Sequence, residues 1–455
     1  MKLSINNFKT IRELKGFNFN SINIISGVNS SGKTSFIQFL LLLKQTLEVQ
    51  SANPALIFDG NWIKLGNFDK LVYKQKTENT IGFELQFDKK YLTDKFPSIF
   101  GIEKVSIRAN YSFEETKTVL SNIKITYKDS RREHFAEFTH KDNSYTCISD
   151  SALLVSDYNA INAQGTINTI SFFPSILFAE IDNPKYPEFD KNPKTISAIE
   201  IKTKEIQNIV NDIFNSISYI GPLREEPKDY FDSNNKNNNI GSKGEYAAQF
   251  LEDEANDTVE FYDVGSKTLQ QMSLSNAVKY WICDIFDLTK DIKTEKYKDS
   301  YIVKVINHYN VESTIKQVGF GISQVLPIVV EGLRMPQNGI LILEQPEIHL
   351  HPKVQSILFD FVYSLSLTGK KFVIETHSDH FITRMRRRVA EDNGNLSEKI
   401  NLVFVEQREA EHLFHKLNLD DMGTFDYFPN DFVEQTGDLD AIIMAQAKKA
   451  ISKSN

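Results

Sequence analysis

The feature that most constrains this chain is a short pattern near its start. Gly27-Val28-Asn29-Ser30-Ser31-Gly32-Lys33-Thr34 satisfies G-x-x-x-x-G-K-[ST]. It lies between a strand-like apolar run, Ser21 to Ile25, and a segment in which Phe36, Leu40, Leu43 and Leu47 recur at helical spacing. Strand, loop and helix in that order are the context in which the pattern binds phosphate. Gly27 and Gly32 let the backbone curl so that successive NH groups, through Asn29, Ser30 and Ser31, face phosphate oxygens. The helix that starts near Lys33 adds the positive end of its dipole. Lys33 then neutralises the β and γ phosphates, the Thr34 hydroxyl ligates Mg2+, and Ser35 closes the binding set.

Such a loop needs a carboxylate at the end of a neighbouring strand to hold the Mg2+ water shell. The candidate is Ile340-Leu341-Ile342-Leu343-Glu344-Gln345-Pro346-Glu347, four apolar residues running into acid. If Glu344 serves the cation held by Thr34, residues about 300 positions apart must lie side by side. The start and the end of the chain are therefore expected to share one sheet, with the middle inserted as lobes.

The rest of the chain divides by pattern. Lys2 to Phe8 alternates as a strand, and a polar turn is expected between it and Ser21. From Ile81 to Ile148 short alternating runs (Ile81 to Phe87, Val105 to Phe113, Ile123 to Tyr127) recur between polar turns, which predicts an antiparallel β lobe. Ile199, Ile206, Ile209, Val210, Ile213 and Ile217 predict one long amphipathic helix from about Lys194, ended by Gly221-Pro222. Asp232 to Gly244, rich in Asn, reads as a flexible loop or flap. A helix from Ser275 carries Val278, Trp281, Ile282, Ile285 and Phe286 on one side. After two strand-like runs near Tyr301 and Ser313, helices near Ser323, Pro352 and Asp379 alternate with strands near Ile340, Lys371 and Asn401. That alternation predicts a parallel sheet covered on its faces. The expected division is 1–80 and 301–405 as the two halves of one head, 81–192 as a β-rich lobe, 193–300 as a helical lobe and 406–455 as a C-terminal extension.

Charge and cysteine content narrow the setting. With 52 Lys+Arg against 60 Asp+Glu the net charge is -8, which argues against coating nucleic acid or anionic lipid through bulk charge. Cys147 and Cys283 stand far apart, so neither a disulfide framework nor a four-cysteine zinc site is expected. No run approaches the ~18 apolar residues of a membrane span. A cytoplasmic chain with no membrane contact is expected.

The order of these motifs resembles the ABC-type ATPase heads of the SMC, RecF and OLD (overcoming lysogenization defect) group. The resemblance runs through GVNSSGKTS at 27–35, LGNFDKLVYKQ at 65–75, YIGPLREEP at 219–227, GFGISQVLPIV at 319–329, LEQPEIHLHP at 343–352 and ETHSDHF at 375–381. GPLR, SQVLP and EQPEIHLHP resemble a branch of bacterial single-head AAA-type ATPases. Many of that branch carry a short extension like Phe425 to Glu434 and occur in or near phage-defence loci. The resemblance implies an α/β P-loop NTPase fold, an ABC/SMC-type head with a mixed sheet, plus an antiparallel β lobe and a helical lobe. It implies ATP and Mg2+, with Thr34 and Glu344 on the metal. It also implies a homo-oligomer of at least two heads, in which Lys33 of one and Ser323 of the next enclose one nucleotide. Gly319 to Gln324 is then the signature segment, with Gly321, Ser323 and Gln324 on the nucleotide, and His377 is the switch histidine. The implied function is an ATPase that gates or senses for a separate effector, a nuclease or toxin, in bacterial anti-phage defence.

One departure bears on the chemistry. Such heads place Asp and then Glu at the end of the acidic strand, whereas this chain has Glu344-Gln345. A glutamine orients water but is a very poor base. Either hydrolysis is slow, or Glu347 supplies the carboxylate, so weak or partner-stimulated turnover is expected.

Other readings compete for the same residues. Glu347, His349, His351, His377 and His380 imitate a metal-hydrolase site, but Leu350 and Pro352 fall where a turn into a helix belongs. Leu402 to Gln407, with Asp438 and Asp440, imitates the start of a Toprim nuclease domain, for which too little chain follows; a final strand and a small cap are expected instead. Arg384, Arg386, Arg387 and Arg388 are expected on a solvated helix, paired with acids such as Glu391 and Asp392, the alternative being a DNA or partner edge. Arg224 is left between a phosphate and a subunit interface. The competing functions are a RecF-like DNA-repair ATPase and an ATP-dependent scaffold with little turnover.

Overall fold

The computed structural model describes residues 1–28, 31–49, 56–92, 101–150, 154–155, 162–181, 195–233, 239–392, 396–408 and 411–427. Three strands open the chain, β1 (Lys2–Phe8), β2 (Ile11–Asn18) and β3 (Ile22–Gly27), followed by helix α1 (Lys33–Val49). The fold divides into two compact units, one of Met1–Phe19 with Thr34–Asn215 and the other of Asn20–Lys33 with Ser216–Asn455. Strands β1 and β2 thus belong to the first unit and β3 to the second.

Antiparallel pairing builds the first unit. After α1 come β4 (Ile81–Asp88), β5 (Ile102–Glu114), β6 (Lys117–Asp129), β7 (Glu133–Lys141), β8 (Ser144–Ser149), β9 (Asn162–Ile170), β10 (Phe173–Ile181), β11 (Thr195–Glu200) and helix α2 (Lys204–Asn215). The sheet order is β11-β10-β9-β8-β7-β6-β5-β4-β1-β2. Antiparallel neighbours need only a tight turn between them. At the β7–β8 hairpin Asp142 (φ 49) and Asn143 (φ 60) both take the left-handed backbone that a two-residue loop demands. Alternation marks the strands that read most clearly from sequence, as at Ile81, Phe83, Leu85 and Phe87 in β4, all buried. The ring of Phe39 on α1 lies 5.0 Å from Phe8 and 5.9 Å from Phe83, edge-on to both, an arrangement ring quadrupoles favour. The buried Lys44 ammonium donates to the Phe214 carbonyl at 2.9 Å and pairs with Glu48 at 3.0 Å, which tethers α2 to α1.

Two expectations fail here. The polar turn before Ser21 is strand β2. Its buried residues Ile11, Leu14 and Phe17 fall at every third position, and its register with β1 shifts between Leu3 and Ile5, so the period of two that marks a strand is missing. The long helix from Lys194 is β11 followed by α2. The Thr203 carbonyl accepts from Gln207 N at 2.9 Å and starts the helix there, while the β-branched residues before it favour a strand. The β lobe takes in β1 and β2 and runs on to β11, so neither 80 nor 192 separates the two units.

The second unit continues with β12 (Ile217–Ile220), β13 (Phe231–Asp232), α3 (Ala247–Asp253), β14 (Thr258–Asp263), β15 (Thr268–Ser273) and α4 (Leu274–Lys279). Then follow β16 (Asp291–Tyr297), β17 (Ser300–Ile306), β18 (Glu312–Thr314), α5 (Phe320–Arg334), β19 (Ile340–Glu344), α6 (Pro352–Ser366), β20 (Lys371–Glu375), α7 (Asp379–Glu391), β21 (Ile400–Arg408) and β22 (Glu411–Leu417). The main sheet has the order β12-β19-β20-β3-β21-β22, parallel except for β22, which runs antiparallel to β21. The alternating pattern predicts the parallel part of this sheet, and the mixed α/β sheet is the one the resemblance implies. Every residue of β3 and β19 is buried, as in strands covered on both faces. Of the N-terminal strands only β3 enters this sheet. The segment expected to be a helical lobe also holds the β14–β15 hairpin, in which β15 is largely exposed and so carries no apolar alternation to read.

The end of the Asn-rich segment is packed. Ile240 is 1% exposed, Gly221 N donates to the Ser242 carbonyl at 2.7 Å, and Glu225 N donates to the Lys243 carbonyl at 2.9 Å. Residues 239–244 therefore form a turn pinned to the Gly221–Glu225 segment, and 234–238 lie outside the described residues. The arginines of α7 are also accounted for. Arg384 and Arg388 converge on the buried Asp360 of α6 at 2.5 and 2.6 Å, a partner the sequence reading missed. Arg387 pairs with Glu391 at 2.7 Å, and Arg386 donates to the Gly423 carbonyl at 2.8 Å. No helix among the described residues is long and apolar enough to cross a membrane.

Candidate functional site

Parallel strands deliver their C-terminal ends to one edge of a sheet, which is where such folds bind ligands. In the second unit that edge receives Gly27 from β3, Glu344 from β19, Glu375 from β20 and the Gly221-Pro222-Leu223-Arg224 segment that follows β12. Glu344 and Glu375 are register partners, and Glu375 in turn pairs with Ile25 of β3.

The loop is shaped by close approach and by left-handed backbone. A Cβ on Gly27 (φ 145) would stand 2.3 Å from the Val405 carbonyl oxygen of β21, and Gly32 has φ 93. Lys33 is 3% exposed and folds back over its own loop, with Nζ donating to the Gly27 carbonyl at 3.0 Å and the Val28 carbonyl at 2.6 Å. Ser31 is fully buried, its Oγ 3.5 Å from Nζ. Burial lowers the Lys33 pKa, while Glu375 and Glu347 pull it back up. Thr34, next on α1, is half-buried. Ser35 is 6% exposed, and its hydroxyl lies 3.0 Å from that of Thr10. Asn29 and Ser30 lie outside the described residues.

The acids form a buried group. Glu344 and Glu375 are 6% and 2% exposed. Burial, with the Glu375 charge added, pushes the Glu344 carboxyl up to about 8, against a hydrogen bond with the Tyr219 hydroxyl. Glu347 sits in the turn beyond β19. Its Oε1 accepts from His377 N at 2.6 Å, whereas its Oε2 is buried with no partner. Burial also raises the Glu347 pKa. Gln345 has a left-handed φ of 43 and donates its backbone NH to the Glu375 carbonyl at 2.7 Å. His377 follows β20, and burial, with the Lys33 charge behind it, holds its imidazole down at about 4. The imidazole is therefore neutral at physiological pH and offers one N–H hydrogen-bond donor and one acceptor nitrogen.

The signature segment is divided by burial. Gly319 caps α5 and is exposed, Phe320 is 58% exposed with its ring 6.1 Å from that of His349, and Gly321 is half-exposed. Ser323 and Gln324 are 6% and 5% exposed, and the Ser323 hydroxyl donates to the Phe320 carbonyl at 2.8 Å. A serine one turn into a helix bonds back to the preceding turn, so the exposed part of the segment is Gly319–Gly321 rather than the Ser323 hydroxyl.

The rival metal site does not assemble: among the described residues no three His, Cys, Asp or Glu side chains converge as ligands. His351 is instead the N-cap of α6, its Nδ1 accepting from Lys353 N at 3.2 Å. The run Leu402–Gln407 is part of β21, paired with β3 and β22, while Asp438 and Asp440 lie outside the described residues.

Sequence reading gave no role to Glu375 or Tyr219 at this edge and left Arg224 between a phosphate and a subunit interface. For Glu375 a signal was present, since Lys371–Glu375 ends in acid just as Ile340–Glu344 does. The set fits a magnesium-bound nucleotide. A carboxyl held at about 8 by burial and a neighbouring acid ionises readily beside a cation, and the unpartnered Glu347 Oε2 is an acceptor in want of a donor.

Comparison with known proteins places the chain. Among solved structures it is similar to the Smc head bound to the C-terminal winged-helix domain of ScpA (10% identity, 92% of this chain and 98% of that one, TM-score 0.41). It is also similar to the SMC head domain from Thermotoga maritima (10% identity, 91% and 97%, TM-score 0.35). A third is the Smc head with an extended coiled coil bound to the C-terminal domain of ScpA, derived from Pyrococcus furiosus (10% identity, 92% and 96%, TM-score 0.41). No curated relative matches. The AAA ATPase domain profile matches residues 1–382, most of the 455-residue chain, and the chain belongs to that family.

Proposed function

We propose that the chain binds ATP with Mg2+ at the edge formed by β3, β19 and β20 and hydrolyses it slowly, with Glu347 taking the proton from the attacking water. The observation that carries this reading is the buried Lys33, resting on the carbonyls of its own loop under the charges of Glu375 and Glu347, together with Glu347, whose Oε2 is buried without a partner. Lys33 exchanges the Gly27 and Val28 carbonyls for phosphate oxygens when nucleotide enters. Water attacks the γ-phosphorus, the bond to the ADP oxygen breaks with its electron pair leaving on ADP, and the water proton passes to Glu347. Gln345 lacks a basic side chain and orients rather than deprotonates. Glu344 and the Thr34 hydroxyl, to which the loop pattern gives that role, would hold Mg2+, which would supply charge neutralisation at the phosphates. Neutral His377, whose backbone NH fixes Glu347, is suited to a hydrogen bond with the γ-phosphate or the water.

The exposed start of α5 supports a second head as the other half of the site, since Gly319–Gly321 offers backbone NH groups at a helix N-terminus. Closure on ATP and opening on hydrolysis then make the nucleotide a clamp whose state a separate effector reads. The defence role of that effector rests on the wording of the motifs alone. A second reading is a RecF-like DNA-repair ATPase; ion pairs of Arg384 and Arg388 with the buried Asp360 leave those two side chains less free for a DNA backbone.

The test is single-turnover hydrolysis of labelled ATP by the purified chain with Mg2+, alongside mass measurement of the assembly with and without ATP, and Lys33→Ala as control. Slow turnover and an ATP-dependent dimer are expected. Fast basal turnover that survives Glu347→Ala would sink this reading.

A further inference from the structure

We propose that Arg224 is a positioning residue for hydrolysis, fixing the turn Glu344-Gln345-Pro346-Glu347 so that the Glu347 carboxylate is presented to the reacting water. The inference rests on the ATPase reading above and adds a residue from outside the phosphate loop and the acidic strand.

Three observations support it. First, Arg224 is 6% exposed, whereas its neighbour Leu223 is 72% exposed, so the guanidinium faces inward from the segment after β12 and is not a subunit-interface group. Second, its hydrogen bonds go to backbone carbonyls of the turn rather than to carboxylates. Nη1 donates to the carbonyls of Pro222 and Gln345 at 3.0 Å each, and Nη2 donates to that of Glu344 at 3.2 Å. A flat, rigid fork can bridge two successive carbonyls, which a single ammonium cannot do with the same geometry. Third, Gln345 holds a left-handed φ of 43, a conformation that a non-glycine residue keeps only when its surroundings over-determine it. The holds are Gln345 N on the Glu375 carbonyl at 2.7 Å and Arg224 on the two carbonyls.

A buried guanidinium needs compensating charge. Glu347 is the foremost source of it, and Glu344 adds to it when ionised. Arg224 Nε and Glu347 Oε2 are both buried without a partner. One is a donor and the other an acceptor, and neither is occupied in holding the turn. An ion pair that only stabilised the fold would engage the carboxylate directly; here the fork shapes the backbone and leaves the carboxylate oxygen open.

The experiment compares Arg224→Lys and Arg224→Gln in the full chain, each alone and combined with Glu347→Gln. It reads single-turnover rate, KM, affinity for a fluorescent ATP analogue and thermal midpoint. Arg224→Lys, which keeps the charge and loses the fork, is expected to lower kcat about 10- to 100-fold, with KM and nucleotide affinity within about threefold of wild type. Arg224→Gln is expected to lower kcat further. Neither is expected to slow the Glu347→Gln background, because groups that act through one another are not additive. A wild-type rate in Arg224→Lys, a loss carried by KM, or full additivity with Glu347→Gln would each overturn the proposal. So would failure of both variants to fold, which would assign Arg224 to stability alone. Absence of turnover in the wild-type chain, or turnover that survives Lys33→Ala, would instead overturn the ATPase reading itself.

Discussion

The ten-stranded sheet of the first unit and the six-stranded sheet of the second draw their strands from the chain in opposite ways. From β4 to β11 each strand lies beside its sequence neighbour, so each pairing closes over a local stretch of chain. In the second sheet β3 sits between β20 and β21, and Asn23 Nδ2 donates to the Phe372 carbonyl across 349 positions of chain. Antiparallel strands alternate direction and send successive ends to opposite edges, whereas parallel strands collect their C-terminal ends on one. The lesson is that the expensive, long-range sheet is the one that can gather Lys33, Glu344, Glu347, Glu375 and His377, while the cheap, local sheet gathers none of them.

If the chemistry is confined to the parallel sheet, four measurements should rank in a definite order. Glu347→Gln should lower the single-turnover rate by about 1000-fold, and Gln345→Ala by less than about tenfold. The reverse ranking would move the base to Gln345. Lys33→Ala should weaken ATP binding by about 100-fold in calorimetry, since it removes a charged hydrogen-bond donor, and should leave the far-ultraviolet circular dichroism unchanged. Ile125→Val, at a fully buried position of β6, should cost about 1 kcal/mol in denaturant unfolding without altering ATP affinity. A change in affinity there would break the contrast between the two sheets.

The smallest effect is a pH slope. The folded His377 takes up its proton at about 4, against about 6.5 for an unfolded histidine. Between those values the unfolded chain binds more protons, so stability falls as pH falls through that window. His377→Gln should flatten the slope. An imidazole NMR titration with its midpoint near 6.5 would remove the burial argument.

The two sheets also differed in how far they could be read from sequence. Strands β19 and β20 announce themselves as unbroken apolar runs ending in acid, because both of their faces are buried. The phosphate loop is legible for a different reason: its glycines and lysine are fixed by chemistry rather than by packing. In the antiparallel sheet β4 to β6 show alternation, but β2 does not, since its bulged pairing spaces its buried residues by three. Arg224 could not be placed from sequence at all. Its partners are backbone carbonyls, and carbonyls have no sequence signature. Ser323 was placed on the nucleotide by its motif, yet its burial depends on where α5 starts, and helix starts are the least certain feature of a sequence reading.

The contact between Gly27 and β21 affects how loss-of-function variants should be chosen. A methyl group at Gly27 would collide with the Val405 carbonyl at 2.3 Å, and β3 pairs with β21 at that residue. Gly27→Ala would therefore wedge two strands apart before any phosphate was offered. Its loss of binding would report a broken sheet seam, not a missing ligand contact. Lys33 bonds only with atoms of its own loop among the described contacts, so a substitution there can separate nucleotide binding from folding.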